Sequence, residues 1–406
     1  MLEVHWKANR IKPLQQIFKP VADEMIEIWK PVKYIFMVLG FYFPENKNSE
    51  KKTDRFLVLF FRILKLFCDV MIFYFMLSMI YGGFSAKKIY FVHVADIAFV
   101  NFLWFLVTLK IKFIMKSFEK MEALLIYPQK NNRALQVIVL LFCAFICINA
   151  LCNTIRVTVE PAIIMHMQYI STFGVINKNN SDTKLSKVGG NILRLIGGSF
   201  NLIFFAFPPT LAVTLFLFLL QMRNLMKDYL KKLQILICED NIPINLRSFL
   251  SDFTKVVVFI KNINETLSPI TFALMAFWTT GIFYNLSKLL YRSTFDDIFS
   301  LASSSCNAIN YTIQFLIFVI LSSEIPKTVA EMKNVILQGP ESQEYFFDEQ
   351  KSSCISLLVL KLENFKEQVT ITGLGLFKLE RSVILICLGT GISYELLIVQ
   401  LMERND

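Results

Sequence analysis

GTGISYELLIVQL, Gly389 to Leu401, is apolar enough to lie in a bilayer, yet it carries Ser393, Tyr394, Glu395 and Gln400. The apolar segment around it runs over 382–402. At about 1.5 Å per residue that is about 31 Å, the thickness of a bilayer core. Segments of this kind recur along the 406 residues: 55% of the chain is hydrophobic, 40 residues are phenylalanine and 18% are charged. A soluble domain of this length has no interior large enough to hide so much apolar surface. The sequence therefore predicts an all-α, polytopic membrane protein. Seven transmembrane helices are expected, near 62–82, 89–109, 134–155, 195–220, 267–288, 299–322 and 382–402.

Lysine and arginine set the expected orientation. The region up to residue 62 and the loops 110–133, 223–266 and 323–381 hold 31 of the 42 basic side chains; the alternate segments 82–88, 156–191, 288–298 and 402–406 hold 9. The N-terminus is expected in the cytoplasm and the C-terminus outside. The net charge of +10 is read as this cytoplasmic bias, so no nucleic-acid partner is expected. Residues 1–20, MLEVHWKANRIKPLQQIFKP, have no apolar core, and no cleaved signal peptide is expected. The sequon at Asn179 falls in a long external loop, where glycosylation is possible. The sequon at Asn264 falls inside and should stay bare. The orientation, and the lack of Asp-Arg-Tyr after span three and Asn-Pro-x-x-Tyr in span seven, argue against a G-protein-coupled receptor.

The eight cysteines are scattered, mostly in apolar runs, with no CxxC, and read as small buried hydrophobes. The three histidines have no metal-site spacing. No metal, cofactor or catalytic constellation is expected.

Polar groups in hydrocarbon are costly, so their positions carry information. They gather in the outer halves of spans two to six: His93 and Asp96; Asn149 and Asn153; Ser199 and Asn201; Trp278, Thr279, Thr280, Tyr284 and Asn285; Ser303, Asn307, Asn310 and Tyr311. Ser303, Asn307, Asn310 and Gln314 step by 4, 3 and 4, one face of a helix. Two readings fit. One is an external pocket for a small polar solute, with Asp96 its foremost ligand candidate. The other is hydrogen bonding between helices. Lys65 and Asp69, four apart, are placed to pair, without an assigned function. Pro208-Pro209 interrupts span four, as a bend that shapes the pocket or as a structural kink. Residues 221–266 and 322–338 alternate charged and apolar residues at helical spacing and need a partner. Residues 339–353, GPESQEYFFDEQKSS, read as a polar linker.

On the last span, Ser393, Leu397 and Gln400 share a face, with Tyr394 and Leu401 beside them. Such a stripe suits a pore-lining helix or a helix packed in its own bundle. SYELLIVQL, Ser393 to Leu401, resembles the signature of insect gustatory receptors: Thr-Tyr, five mainly hydrophobic residues, then Gln-Phe. Tyr394 and Gln400 match it, Ser393 stands for threonine and Leu401 for phenylalanine. TGLGLFKLER, 372–381, is similar to the family's approach to this helix.

The resemblance implies a tastant-gated cation channel, tetrameric, with an external-facing ligand pocket in each subunit. It implies a pore lined by the last helix, gated at Gln400 and Leu401, and a shared anchor of cytoplasmic helix ends. Glu395 and Gly389-Thr390 resemble the sugar-sensing branch, so a sugar is favoured over a bitter or other tastant. The chain then divides into a cytoplasmic region 1–61, a six-helix bundle 62–322, an anchor segment 323–381 and a pore helix with its tail, 382–406. Its partners would be the tastant, copies of itself, related subunits, lipids and permeating cations, in the plasma membrane of chemosensory neurons. An odorant receptor is the nearest alternative, against which Gln400 argues. A secondary transporter would show internal repeats, and none is visible.

Overall fold

The computed structural model describes residues 35–37, 39, 41, 59–60, 62–63, 65–70, 72–74, 90–124, 132–159, 184–237, 242–290, 298–338 and 349–403. They form helices α1 (Tyr90–Leu124), α2 (Asn132–Val159), α3 (Lys184–Ile237), α4 (Ile242–Leu290), α5 (Ile298–Gln338), α6 (Glu349–Val369) and α7 (Ser382–Glu403). Two short strands, β1 (Thr372–Gly373) and β2 (Phe377–Lys378), separate α6 from α7. Parts of the expected first span, 62–63, 65–70 and 72–74, are helical. Among the described residues five helices, α1 to α5, are long and apolar enough to cross a bilayer; α7 adds a shorter apolar stretch over Ser382–Ser393. The chain is a multi-pass helical membrane protein.

α3, α4 and α5 are longer than a membrane requires. Their apolar stretches of 36, 40 and 38 residues are about 54–60 Å at about 1.5 Å per residue, nearly twice a bilayer core. The amphipathic stretches of the sequence are therefore continuations of these helices rather than separate elements. Residues 349–353, read as linker, are the first turns of α6. Leu358, Leu362, Phe365 and Val369 step by 4, 3 and 4 along that helix and are buried. α6 packs on the far ends of α5 and α4, where Lys333 donates to Glu363 at 2.7 Å. That hydrogen bond holds the Glu363 carboxyl below its ordinary range.

The bundle is assembled from pairs: α2 along α3, α4 along α5, α3 along α5, and α1 against α4. Its interior is aromatic. Trp278 lies edge-on to Phe318 with centroids 5.4 Å apart, and Phe253 packs on Phe249 and Phe365. The outward faces of α1 and α2 carry Phe105, Leu109, Ile138 and Leu141, all exposed. This is the face a hydrocarbon solvent favours.

Pro208 and Pro209 both lie inside α3. Just before them Phe207 is wholly buried, with Phe41 (5.2 Å) and Trp104 (5.0 Å) on its ring. The expected Lys65–Asp69 pair forms beside this cluster. Trp104 Nε1 donates to the same Asp69 oxygen at 2.7 Å, and Lys65 donates to Thr108 at 3.2 Å. The Lys65 ammonium stands 5.0 and 4.9 Å from the Phe41 and Trp104 ring centres. An ion pair in an apolar setting persists only with such added partners.

Candidate functional site

The polar side chains of α2, α4 and α5 meet in two networks. In the first, Asn153 Nδ2 donates to Asn149 Oδ1 at 3.0 Å, and Ser303 Oγ donates to Asn153 Oδ1 at 3.2 Å. This joins α2 to α5. In the second, Trp278 Nε1 donates to Gln314 Oε1 at 3.0 Å, and Gln314 Nε2 donates to Asn310 Oδ1 at 2.9 Å. This joins α4 to α5. Trp278 and Gln314 are wholly buried, and Asn307 and Asn310 are buried on the same face. The helical spacing of Ser303, Asn307, Asn310 and Gln314 thus places one polar stripe against two neighbouring helices. Hydrogen bonds between membrane helices contribute about 0.6–2 kcal/mol each.

Tyr311 extends the site. Its ring meets Phe277 edge-on at 5.3 Å and lies on Gly281, where an added Cβ would stand 2.9 Å from the ring. A side chain at Gly281 would displace Tyr311. Thr279 and Thr280 donate to the carbonyls of Met275 and Ala276, and Asn285 donates to Gly281 O. Tyr284 and Ser199 are half-buried. His93 and Asp96 belong to the first two turns of α1; their side chains lie outside the described residues, as does that of Asn201. Asn179 lies outside them altogether.

One polar residue was not singled out from the sequence. Asn101 is buried on α1; its Nδ2 donates to Ile97 O at 2.7 Å, while its Oδ1 is buried without a partner among the described residues. A lone amide in the middle of an apolar run was its only signal.

α7 is held by one face. Gly391 is buried, and Val383, Ile384 and Cys387 are half-buried on the same side. A Cβ on Gly391 would lie 2.3 Å from Phe283 Cε1 on α4, so the two helices touch where Gly391 has no side chain. The rest of the described surface of α7 is open: Leu385, Ile386, Leu388, Ile392, Ser393 and Gln400 are exposed. Ser393 donates to Gly389 O at 2.8 Å. The side chains of Tyr394, Leu397 and Leu401 lie outside the described residues, though their backbone is helical.

The foot of α7 is clamped twice. The β1–β2 hairpin pairs Thr372 with Lys378 and Gly373 with Phe377. Its turn places Leu374 and Gly375 at φ 53° and 70°, and Leu376 N–H donates to Gly373 O at 2.9 Å. Positive φ at both central positions matches the right-handed twist of the flanking strands. Asn264 on α4 donates to Thr370 O at 2.8 Å and accepts from Thr372 N–H at 3.1 Å, and Ser268 donates to Thr372 O at 2.9 Å. Buried and doubly engaged, Asn264 offers no glycosylation acceptor. The second clamp is Arg381 Nη2 donating to Glu324 Oε1 of α5 at 2.7 Å.

No family model matches the chain, and no curated protein matches its sequence. Solved structures do share its fold. The insect olfactory receptor OR5 from Machilis hrabei superposes with a TM-score of 0.64 over 96% of this chain and 99% of that one, at 11% identity. The same receptor in complex with eugenol gives 0.60 over the same shares, also at 11% identity. At that identity the likeness shows the fold.

Proposed function

We propose that the chain is a subunit of a ligand-gated cation channel of the insect chemoreceptor type, opened by a small molecule and gated on α7. The observation that carries this reading is the shared fold along nearly the whole length with an insect olfactory receptor, one structure of which is in complex with eugenol. The one-sided packing of α7 supports it. An apolar helix carrying Ser393 and Gln400 on open surface has its remaining neighbours in other copies of the chain, around water. We assign Gln400 and Leu401 to the constriction. The two polar networks belong to the ligand site, where a ligand's hydroxyls would exchange with the amide and indole bonds already present.

For the ligand, the Tyr394-Glu395 motif and the polar stripe of α5 favour a polyhydroxylated molecule of the sugar class, detected as a tastant. A second reading is supported by the eugenol complex of the structural neighbour: an odorant seated on the same aromatic surfaces, Trp278, Phe277 and Tyr311. Calcium imaging of cells expressing this chain alone, against sugars, bitter compounds and eugenol, separates them. The gate is tested on its own. Leu401→Ala and Gln400→Ala should raise ligand-independent cation current or alter ion selectivity at normal surface expression, because widening an apolar constriction admits water. Unaltered currents in both variants remove the gate from these residues.

A further inference from the structure

Glu324 faces cations from three directions. Its Oε1 accepts from Arg381, the residue before α7, at 2.7 Å and lies 3.9 Å from Lys327; its Oε2 lies 3.8 Å from Arg223 Nη2 on α3. The partners are unequal. Arg381 donates a short charge-assisted hydrogen bond, the strong kind. Arg223 donates none at that distance, and among the described residues its Nε is buried without a partner. Gln221 Oε1, two residues earlier, is likewise buried and, among the described residues, unpartnered. A buried N–H without an acceptor is a cost that the fold carries in this state. Glu324 is the carboxylate already beside it.

The helix around Glu324 has a break in its main-chain bonding. Pro326 lies inside α5 and supplies no N–H for the carbonyl of Ser322. The Ser322 and Ser323 hydroxyls turn back onto the carbonyls of Phe318 and Ile320, each at 2.8 Å. Missing main-chain bonds of this sort are where helices bend.

We propose that Glu324 is a two-position carboxylate that positions the gate helix. Bound to Arg381, it holds the foot of α7 against α5. When α7 swings away, Glu324 transfers to Arg223, which then gains the acceptor it lacks here. The exchange rests on the reading of α7 as the gate-carrying helix. It also connects the ligand site to the gate, because Gln314 and Glu324 lie on one helix.

The two arginines then have opposite signs. Glu324→Gln and Arg381→Gln remove the closed-state clasp, and Arg223→Gln removes the open-state partner. The test is ligand-independent sodium current, with N-methylglucamine substitution as the blank, normalised to surface-biotinylated protein. Leu401→Ala serves as the open reference. Glu324→Gln and Arg381→Gln should raise the current at least about threefold over the unmodified chain with unchanged unitary conductance. Arg381→Lys should bring it back toward the unmodified value. Arg223→Gln in the Leu401→Ala background should lower that variant's current by about the same factor. A merely structural cluster would instead lower surface yield in all variants alike. If Glu324→Gln fails to reach the surface, Arg381→Gln, on a largely exposed side chain, carries the comparison. The proposal is overturned if Arg223→Gln raises current, or if Arg381→Gln leaves it unchanged while Leu401→Ala raises it. No current in any variant, Leu401→Ala included, overturns the gate reading and the switch with it.

Discussion

Gly389 and Gly391 stand two residues apart on α7 and differ in what surrounds them. Around Gly389 an added Cβ meets nothing within 4 Å; at Gly391 it would stand 2.3 Å from Phe283. Gly391→Ala must therefore separate α7 from α4 or force Phe283 off its position, at about 1–3 kcal/mol. Gly389→Ala adds a better helix former in open space and should be neutral or stabilising by about 0.5–1 kcal/mol. Melting of the purified protein in lipid nanodiscs, followed by tryptophan fluorescence, should show a lowered midpoint for the first variant only. GTG in the sequence does not separate these glycines, because the difference comes from a ring on another helix. The stripe from Ser303 to Gln314 was legible, since helical spacing is a property of one segment. That Gln314 meets Trp278, and Ser303 meets Asn153, depends on packing that no single segment encodes.

The hairpin between α6 and α7 ties the foot of α7 to α4 through Asn264. Removing that amide leaves the buried Thr370 carbonyl and the half-buried Thr372 N–H without partners, a loss of about 2–3 kcal/mol. The prediction for Asn264→Ala is local: amide hydrogen exchange of Thr372 quickens at least about tenfold, while exchange across α3 and α5 is unchanged. Equal protection at Thr372 in both proteins would deny Asn264 this role. Elements of the fold were legible to different degrees for physical reasons. The long helices announce themselves by uninterrupted apolar length. α6 does not, because charged residues surround its narrow stripe of Leu358, Leu362, Phe365 and Val369. Two-residue strands have no periodicity to detect, and the partner of Thr370 lies 106 residues earlier.

The whole chain closes its core around α3, α4 and α5 and leaves α7 at its side with most of the described surface uncovered. Such a helix faces either lipid or water. The two solvents differ for Ser393, which lies in the middle of α7, exposed, far from either end. A subunit that works alone in lipid would keep this position dry. A ring of subunits would place it in a water-filled passage, below the constriction proposed at Gln400 and Leu401. The decisive experiment puts a cysteine at Ser393 and applies a charged maleimide to both sides of permeabilised membranes, counting label above that taken by the native cysteines. A ring of α7 helices around water predicts reaction at this position within minutes. No reaction there, while a cysteine placed at Gln400 is labelled, would mean that α7 faces lipid and that the chain forms no such passage.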